Sequence, residues 1–190
     1  MSDRIKWDER YDTDGLTCGS EPSEFLSSNA DYLPSSGLAL DLAAGEGRNS
    51  IFLAGRGLEV VALDISVRGL EKCLRAARQK NAPVEAAAVD LRAFVFPARM
   101  FDAIVVFNYL QRELAAGMIS GLKPGGLLVY ETMSVDTLPF RPDFNPDFLL
   151  RRGELVQIFR GLRIIKYREA ILQANGSMRG VASLIASKPE

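Results

Sequence analysis

The segment Asp41-Leu-Ala-Ala-Gly-Glu-Gly-Arg-Asn49 sets a carboxylate just before a Gly-x-Gly turn. Gly45 and Gly47 carry no Cβ, so a ligand can approach the backbone closely there. A second acid, Asp64, closes the apolar run Glu59-Val-Val-Ala-Leu-Asp64, 17 positions after Gly47. An acid so placed can accept hydrogen bonds from paired ribose hydroxyls, as in nucleotide-binding enzymes. The chain has no histidine, which removes the commonest general base, the commonest metal ligand and every Ser-His or Cys-His nucleophile scheme. Chemistry must then rest on carboxylates, Tyr, Lys or Cys, on a cofactor, or on a substrate that is already nucleophilic, and no metal is expected. Cys18 reads as an incidental thiol and Cys73 as inert packing beside a helix stripe.

These residues need a frame that alternates strands and helices. Leu38–Ala44 reads as a buried strand, Gly45–Asn49 as a turn and Ser50–Arg56 as a helix. Glu59–Asp64 is a second strand, followed by a helix with the apolar stripe Val67, Leu70, Leu74 and Ala77. Ala82–Asp90 supplies a third strand and Phe101–Phe107 a fourth. A helix over Gln111–Leu122 ends at Lys123-Pro-Gly-Gly126, which turns into a fifth strand, Leu127–Thr132. The Pro-spaced stretch Ser134–Pro146 predicts a surface loop, and Glu154–Arg160 a short helix. Arg163–Gln173 and Gly180–Ser187 flank Asn175-Gly176, a strong hairpin signal. The expected fold is a single α/β domain over 1–190, a three-layer α/β/α Rossmann-like sandwich. Its seven-stranded sheet is mostly parallel and ends in a C-terminal antiparallel hairpin.

Composition bounds the function classes. The 190 residues are 47% hydrophobic and 25% charged, with 23 basic against 24 acidic residues and a formal charge of −1. A global field that would draw nucleic acid or an anionic membrane is missing. Apolar runs such as Ile104–Phe107 are strand-sized, and the first thirty residues show no apolar secretory core. The expectation is a reduced, cytoplasmic protein with no nucleic-acid or membrane partner; its oligomeric state is left open.

The first half of this pattern suits two families. A dinucleotide-binding Rossmann domain asks for G-x-G-x-x-G, whereas Ser50 stands at the third glycine position. Leu40-Asp-Leu-Ala-Ala-Gly-Glu-Gly47, Asp64, Asp90-Leu91, Phe101-Asp102 to Asn108, and Leu122-Lys-Pro-Gly-Gly-Leu-Leu-Val129 instead resemble the successive motifs of class I S-adenosylmethionine-dependent methyltransferases, whose hallmark is the terminal hairpin. Trp7-Asp-Glu-Arg-Tyr11, Gly19-x-x-Pro22, Gly45-x-Gly-Arg-Asn49 and Phe107-Asn-Tyr-Leu-Gln-Arg112 resemble the small bacterial members that include the tellurite-resistance enzymes.

The resemblance implies S-adenosyl-L-methionine as cofactor and a small-molecule methyl acceptor, a thiol, chalcogen or amine. The cofactor would lie along Ala43, Gly45, Gly47 and Asn49, with Asp41 receiving its ammonium and Arg10 or Arg48 its carboxylate. Asp64 would hold the ribose, Ile65 and Leu91 would flank the adenine, and Asp90 would accept from the adenine amino group. Phe107 reads as sheet core or adenine-side packing. Trp7 either joins the cofactor site or anchors the N-terminal segment. Tyr109 and Arg112, after the fourth strand, face the acceptor, with Arg112 either orienting an anionic acceptor or pairing with an acid on its own helix. Residues 1–34 and 134–146 would close over the pocket. The alternative is a catalytically silent protein that binds S-adenosylmethionine or S-adenosylhomocysteine.

Overall fold

The computed structural model describes residues 2–174 and 176–190. Its centre is a seven-stranded sheet: β1 (Leu38–Leu42), β2 (Glu59–Asp64), β3 (Val84–Ala88), β4 (Phe101–Phe107), β5 (Leu122–Met133), β6 (Arg163–Ala174) and β7 (Ser177–Ser187). The order is β3-β2-β1-β4-β5-β7-β6. The first five strands run parallel, and β7 pairs antiparallel with both β5 and β6. Two of the strand neighbours of β1, β2 and β4, lead away in opposite directions, which opens a crevice at the carboxyl ends of the strands.

Side-chain alternation builds the layers. Leu40, Leu42, Ile104, Val106, Leu128 and Tyr130 face one side, with Met118 of α5 (Ala115–Gly121) and Leu155 of α6 (Glu154–Ile158). Ala39, Val105, Val129 and Ile185 face the other, against Leu53 and Ala54 of α3 (Arg48–Gly55) and Phe25 and Leu26 of α2 (Glu24–Ser27). A further helix, α4 (Val67–Gln79), starts on a Ser66 cap whose Oγ accepts from the Gly69 amide at 3.1 Å. Its buried stripe is Gly69, Leu70, Cys73 and Ala77. Cys73 thus belongs to the stripe, and the predicted Val67 and Leu74 lie only half-buried at its border.

Local expectations shift in four places. The third strand is shorter than Ala82–Asp90. The predicted helix over 111–122 divides into a 3-10 turn, Arg112–Leu114, and α5; Gly117 sits where a Cβ would meet the Phe96 ring at 2.4 Å, so packing selects a residue of weak helix propensity. Lys123–Gly126 does not turn before β5 but forms its irregular beginning. Leu122 pairs with Phe101 and Leu127 with Ala103, and the extra residues are held by Gly125 N to Lys188 O and Lys188 N to Gly126 O, both 2.9 Å. The second hairpin strand begins at Ser177, earlier than Gly180. The predicted turn residue Asn175 lies outside the described residues; Gly176 has the positive φ, 75°, that such a turn requires.

The N-terminal 34 residues comprise several differently packed pieces. Helix α1 (Asp3–Tyr11) packs on α4, residues 12–23 are irregular, and Phe25, Leu26 and Leu33 are buried in the core. The 134–146 loop is likewise pinned at its start, where Thr137 Oγ1 bonds Gly180 O at 3.0 Å and accepts from Gly180 N at 3.1 Å. Among the described residues, no helix is long and apolar enough to cross a membrane, and no group of His, Cys, Asp and Glu could hold a metal ion.

Candidate active site

The turn after β1 is built on left-handed backbone: Ala43, Gly45 and Gly47 have φ of 57°, 56° and 81°. A non-glycine residue in this region is uncommon and marks local strain of the kind found at binding sites. Asp64, at the end of β2, organises the turn. Its two carboxylate oxygens accept from Gly45 N and Ser66 N, each at 2.8 Å, and burial pushes its pKa up. Each oxygen keeps a further lone pair for a hydroxyl donor.

Asp41 is 1% exposed and receives a 2.6 Å hydrogen bond from Ser50 Oγ. Burial raises its pKa to about 7, and among the described residues it has no ion-pair partner. A buried acid in want of a cation fits the ammonium of a methionyl group. Ser50, which in sequence only distinguishes the loop from a dinucleotide fingerprint, is the donor that holds this acid.

The glycines serve the protein as well as any ligand. A Cβ on Gly45 would lie 2.6 Å from the Tyr11 hydroxyl oxygen, and one on Gly47 2.1 Å from Cys73 Sγ. Besides leaving backbone open to a ligand, the two glycines admit the protein's own side chains: Tyr11 of α1 stands over the first and Cys73 of α4 over the second. Cys73 is buried and its thiol is pushed up to about 12 by desolvation, so it is inert packing as expected; Cys18 is exposed and free.

On α1, Trp7 stacks with Tyr11 at a centroid distance of 5.8 Å, and the Arg10 guanidinium lies 5.1 Å from the Trp7 ring centre. Asp8 Oδ1 accepts from Ser66 Oγ at 2.7 Å and from Arg68 N at 3.1 Å, fastening α1 to the start of α4. Arg48 is committed to the N-terminal segment, donating to Cys18 O at 3.2 Å and Ser23 Oγ at 3.1 Å. Asn49 Oδ1 accepts from Ser23 N at 2.9 Å. Of the two arginines expected to meet a cofactor carboxylate, Arg10 is the one without such backbone ties. Glu46, which sequence reading passed over, is almost fully buried and binds Thr17 N, Cys18 N and Lys72 Nζ at 3.0–3.1 Å.

Beyond β3, Asp90 caps a 3-10 turn over Leu91–Ala93. Its exposed carboxylate meets Arg92 Nη2 at 2.8 Å, and the guanidinium holds its pKa below the usual range. Leu91 is buried in the cluster that contains Leu42 and Leu63, and Ile65 is half-buried.

At the carboxyl end of β4, Phe107 is sheet core, and Asn108 has a left-handed φ of 55°. The Tyr109 hydroxyl donates to Gln111 Oε1, and burial lifts its pKa to about 12, which opposes a role as base. Glu131 is occupied too, by Ser183 Oγ at 2.6 Å and Arg168 Nη2 at 3.2 Å. Arg112 pairs with an acid, but not with one on its own helix. It clasps Glu154 of α6 through Nε at 2.6 Å and Nη2 at 3.0 Å, and bonds the carbonyls of Asp147 and Leu149 at 3.1 and 3.0 Å. A residue sequence reading missed lies nearby: Arg179 Nη1 donates to Asn108 Oδ1 at 3.0 Å, while its buried Nε has no partner among the described residues.

A 3-2-1-4-5-7-6 sheet with an acid before a glycine turn and a second acid ending β2 defines the class I methyltransferase fold. Residues 39–126 match a family described as a methyltransferase domain. The sequence is 32% identical over 145 residues to hemagglutinin 1 of Eikenella corrodens, covering 70% of this chain and 46% of that protein. It is 35% identical over 118 residues to the demethylmenaquinone methyltransferase of Renibacterium salmoninarum, covering 59% and 48%. TehB of Haemophilus influenzae, a crystal structure, superposes with a TM-score of 0.75 at 18% identity, over 97% of this chain and 66% of that one. The chain spans about half the length of the curated relatives it matches. The chain is thus similar to S-adenosylmethionine-dependent methyltransferases, a probable one named TehB from Haemophilus influenzae among them.

Proposed function

We propose that this chain transfers a methyl group from S-adenosyl-L-methionine to a small soft or self-ionised acceptor: a thiol, a chalcogen or an amine. The observation that carries the reading is Asp41, a buried acid without a cation, seated beside the Asp64-organised glycine turn. Bound cofactor supplies a sulfonium-activated methyl group. Asp41 receives the ammonium, Asp64 the ribose hydroxyls, and Ile65, Leu91 and Asp90 line the adenine. Arg10 takes the carboxylate, since the Arg48 guanidinium is already engaged.

The acceptor class follows from the bases that are spoken for. Tyr109 donates its proton to Gln111 and Glu131 is held by Ser183 and Arg168, so with Asp41 assigned to the cofactor ammonium, neither of these two groups is free to act as a base. A thiolate or neutral amine needs none for in-line attack, so positioning carries the rate, and well-oriented reactants can supply roughly 7–11 kcal/mol. Tyr109 then shapes and dries the pocket rather than moving a proton. Relatives are named for other acceptors, demethylmenaquinone in one and malonyl-[acyl-carrier protein] in another, so the acceptor class rests on this chain's own residues. Two unpaired cysteines suit a reducing compartment such as the cytoplasm.

Isothermal titration with S-adenosylhomocysteine, alongside NAD as control, tests the reading without the acceptor. Selective micromolar-range binding supports it, and a screen of thiols and chalcogen oxyanions follows. Absence of binding by folded protein overturns it.

A further inference from the structure

The irregular segment between α1 and α2 is held against the outside of the glycine turn by one buried carboxylate. Glu46, between Gly45 and Gly47, has a side chain only 2% exposed. Its Oε1 accepts from Thr17 N and Lys72 Nζ, both at 3.1 Å, and its Oε2 from Cys18 N at 3.0 Å. Lys72 reaches from α4 to the same strap, donating to Gly15 O at 2.7 Å and Thr13 Oγ1 at 3.1 Å. No helix or strand orders residues 12–23, so these bonds, with those of Arg48 and Asn49, fix its course. The strap begins one residue after Tyr11, whose hydroxyl covers Gly45. At the far side, Asp8 ties α1 to Ser66, which in turn donates its amide to Asp64. The Asp64-organised turn therefore lies against a helix fastened at Asp8 and covered at Tyr11.

We infer that Glu46 is a positioning residue that, with Lys72, clamps the Thr13–Cys18 strap so that α1 stays closed over bound cofactor; the inference rests on the proposed cofactor site. A carboxylate so far from water persists only when paired and hydrogen-bonded. Its geometry, two backbone N–H groups and one ammonium converging on two oxygens, suits an anion and not an amide. In Glu46→Gln the amide NH2 faces donors, Lys72 loses its counter-charge, and the strap is freed without a change of volume.

Trp7 is the only tryptophan and sits on α1, so its fluorescence reports closure during stopped-flow release of S-adenosylhomocysteine. Glu46→Gln should release the ligand about tenfold faster, and Lys72→Met several-fold faster. The Thr17 and Cys18 amides should lose protection from hydrogen exchange while the amides of β1 and β4 keep theirs, and the unfolding midpoint of ligand-free protein falls only modestly with the loss of the buried pair. Glu71→Gln, which breaks only an exposed contact with Arg68, should release at the wild-type rate. Unchanged release in both clamp variants overturns the inference, as does faster release matched only by a collapsed midpoint; Lys72→Met decides if Glu46→Gln does not fold. Wild-type protein that binds no S-adenosylhomocysteine overturns the proposed function, and this inference falls with it. Tight wild-type binding with unaltered variants overturns the clamp alone.

Discussion

Asp41 and Asp64 share one crevice but differ in how they are satisfied. Asp64 is held by two backbone amides; Asp41 has one side-chain hydroxyl and a pKa raised to about 7 by burial. In the unfolded chain Asp41 ionises near the ordinary value, about 3.9. Between these values the folded protein keeps a proton the unfolded chain has lost, so this acid makes stability fall as pH rises from about 4 to about 7, with no further effect above. Asp41→Asn should flatten that slope in urea titrations across the range. Cofactor affinity should run the other way, because an ammonium favours the ionised acid: S-adenosylhomocysteine should bind up to about tenfold tighter per pH unit below about 7, and level above it. A flat profile by calorimetry would remove Asp41 from the site. Asp64→Ala should weaken cofactor binding by about 1–3 kcal/mol; because the turn loses its acceptor too, a lower unfolding midpoint should accompany it. Gly47→Ala must hold a left-handed φ and displace Cys73, so we expect a loss of about 2–4 kcal/mol in denaturant unfolding.

At the scale of elements, Arg112 and Glu154 are the clasp between the segment after β4 and α6. Arg112→Met removes a two-pronged ion pair and two carbonyl contacts, leaving Glu154 half-buried with only the Arg151 amide, 2.7 Å from its Oε2. The expected cost is about 1–3 kcal/mol in stability, with S-adenosylhomocysteine affinity unchanged in calorimetry; weakened binding instead would return Arg112 to the site. This pair marks the boundary of what sequence shows. The β1 turn, the acid ending β2, the strands and the hairpin are legible because each is a local pattern: a period, a cap, a glycine at a left-handed position. The partners of Arg112, Glu46 and Ser50 are not, since pairs 42, 26 and 9 residues apart leave no mark on spacing. The 3-10 break at Arg112–Leu114 escaped for a related reason. Tertiary contact at Gly117 and the clasp itself, rather than helix propensity, set where that helix begins.

For the whole molecule, the hairpin is part of the core and not an appendage. Residues 180–186 of β7 are buried, and Ala182, Leu184 and Ile185 join both faces of the sheet. A chain cut after Leu162 would expose the β5 edge and lose the inner wall of both clusters. We expect it to lack the near-ultraviolet dichroism of fixed aromatic packing, even where helix signal survives; retained near-ultraviolet signal would show that five strands suffice.

The position of β7 also orders events in time. It sits between β5 and β6 in the sheet although it follows both in sequence. While the chain leaves the ribosome, β6 has no neighbour to join and β5 presents a bare row of backbone donors and acceptors until β7 emerges. Synthesis of β7 is thus the step that seals this sheet. A pause or lesion there leaves a nearly finished sheet with an adhesive edge, the state most prone to pair with another nascent copy.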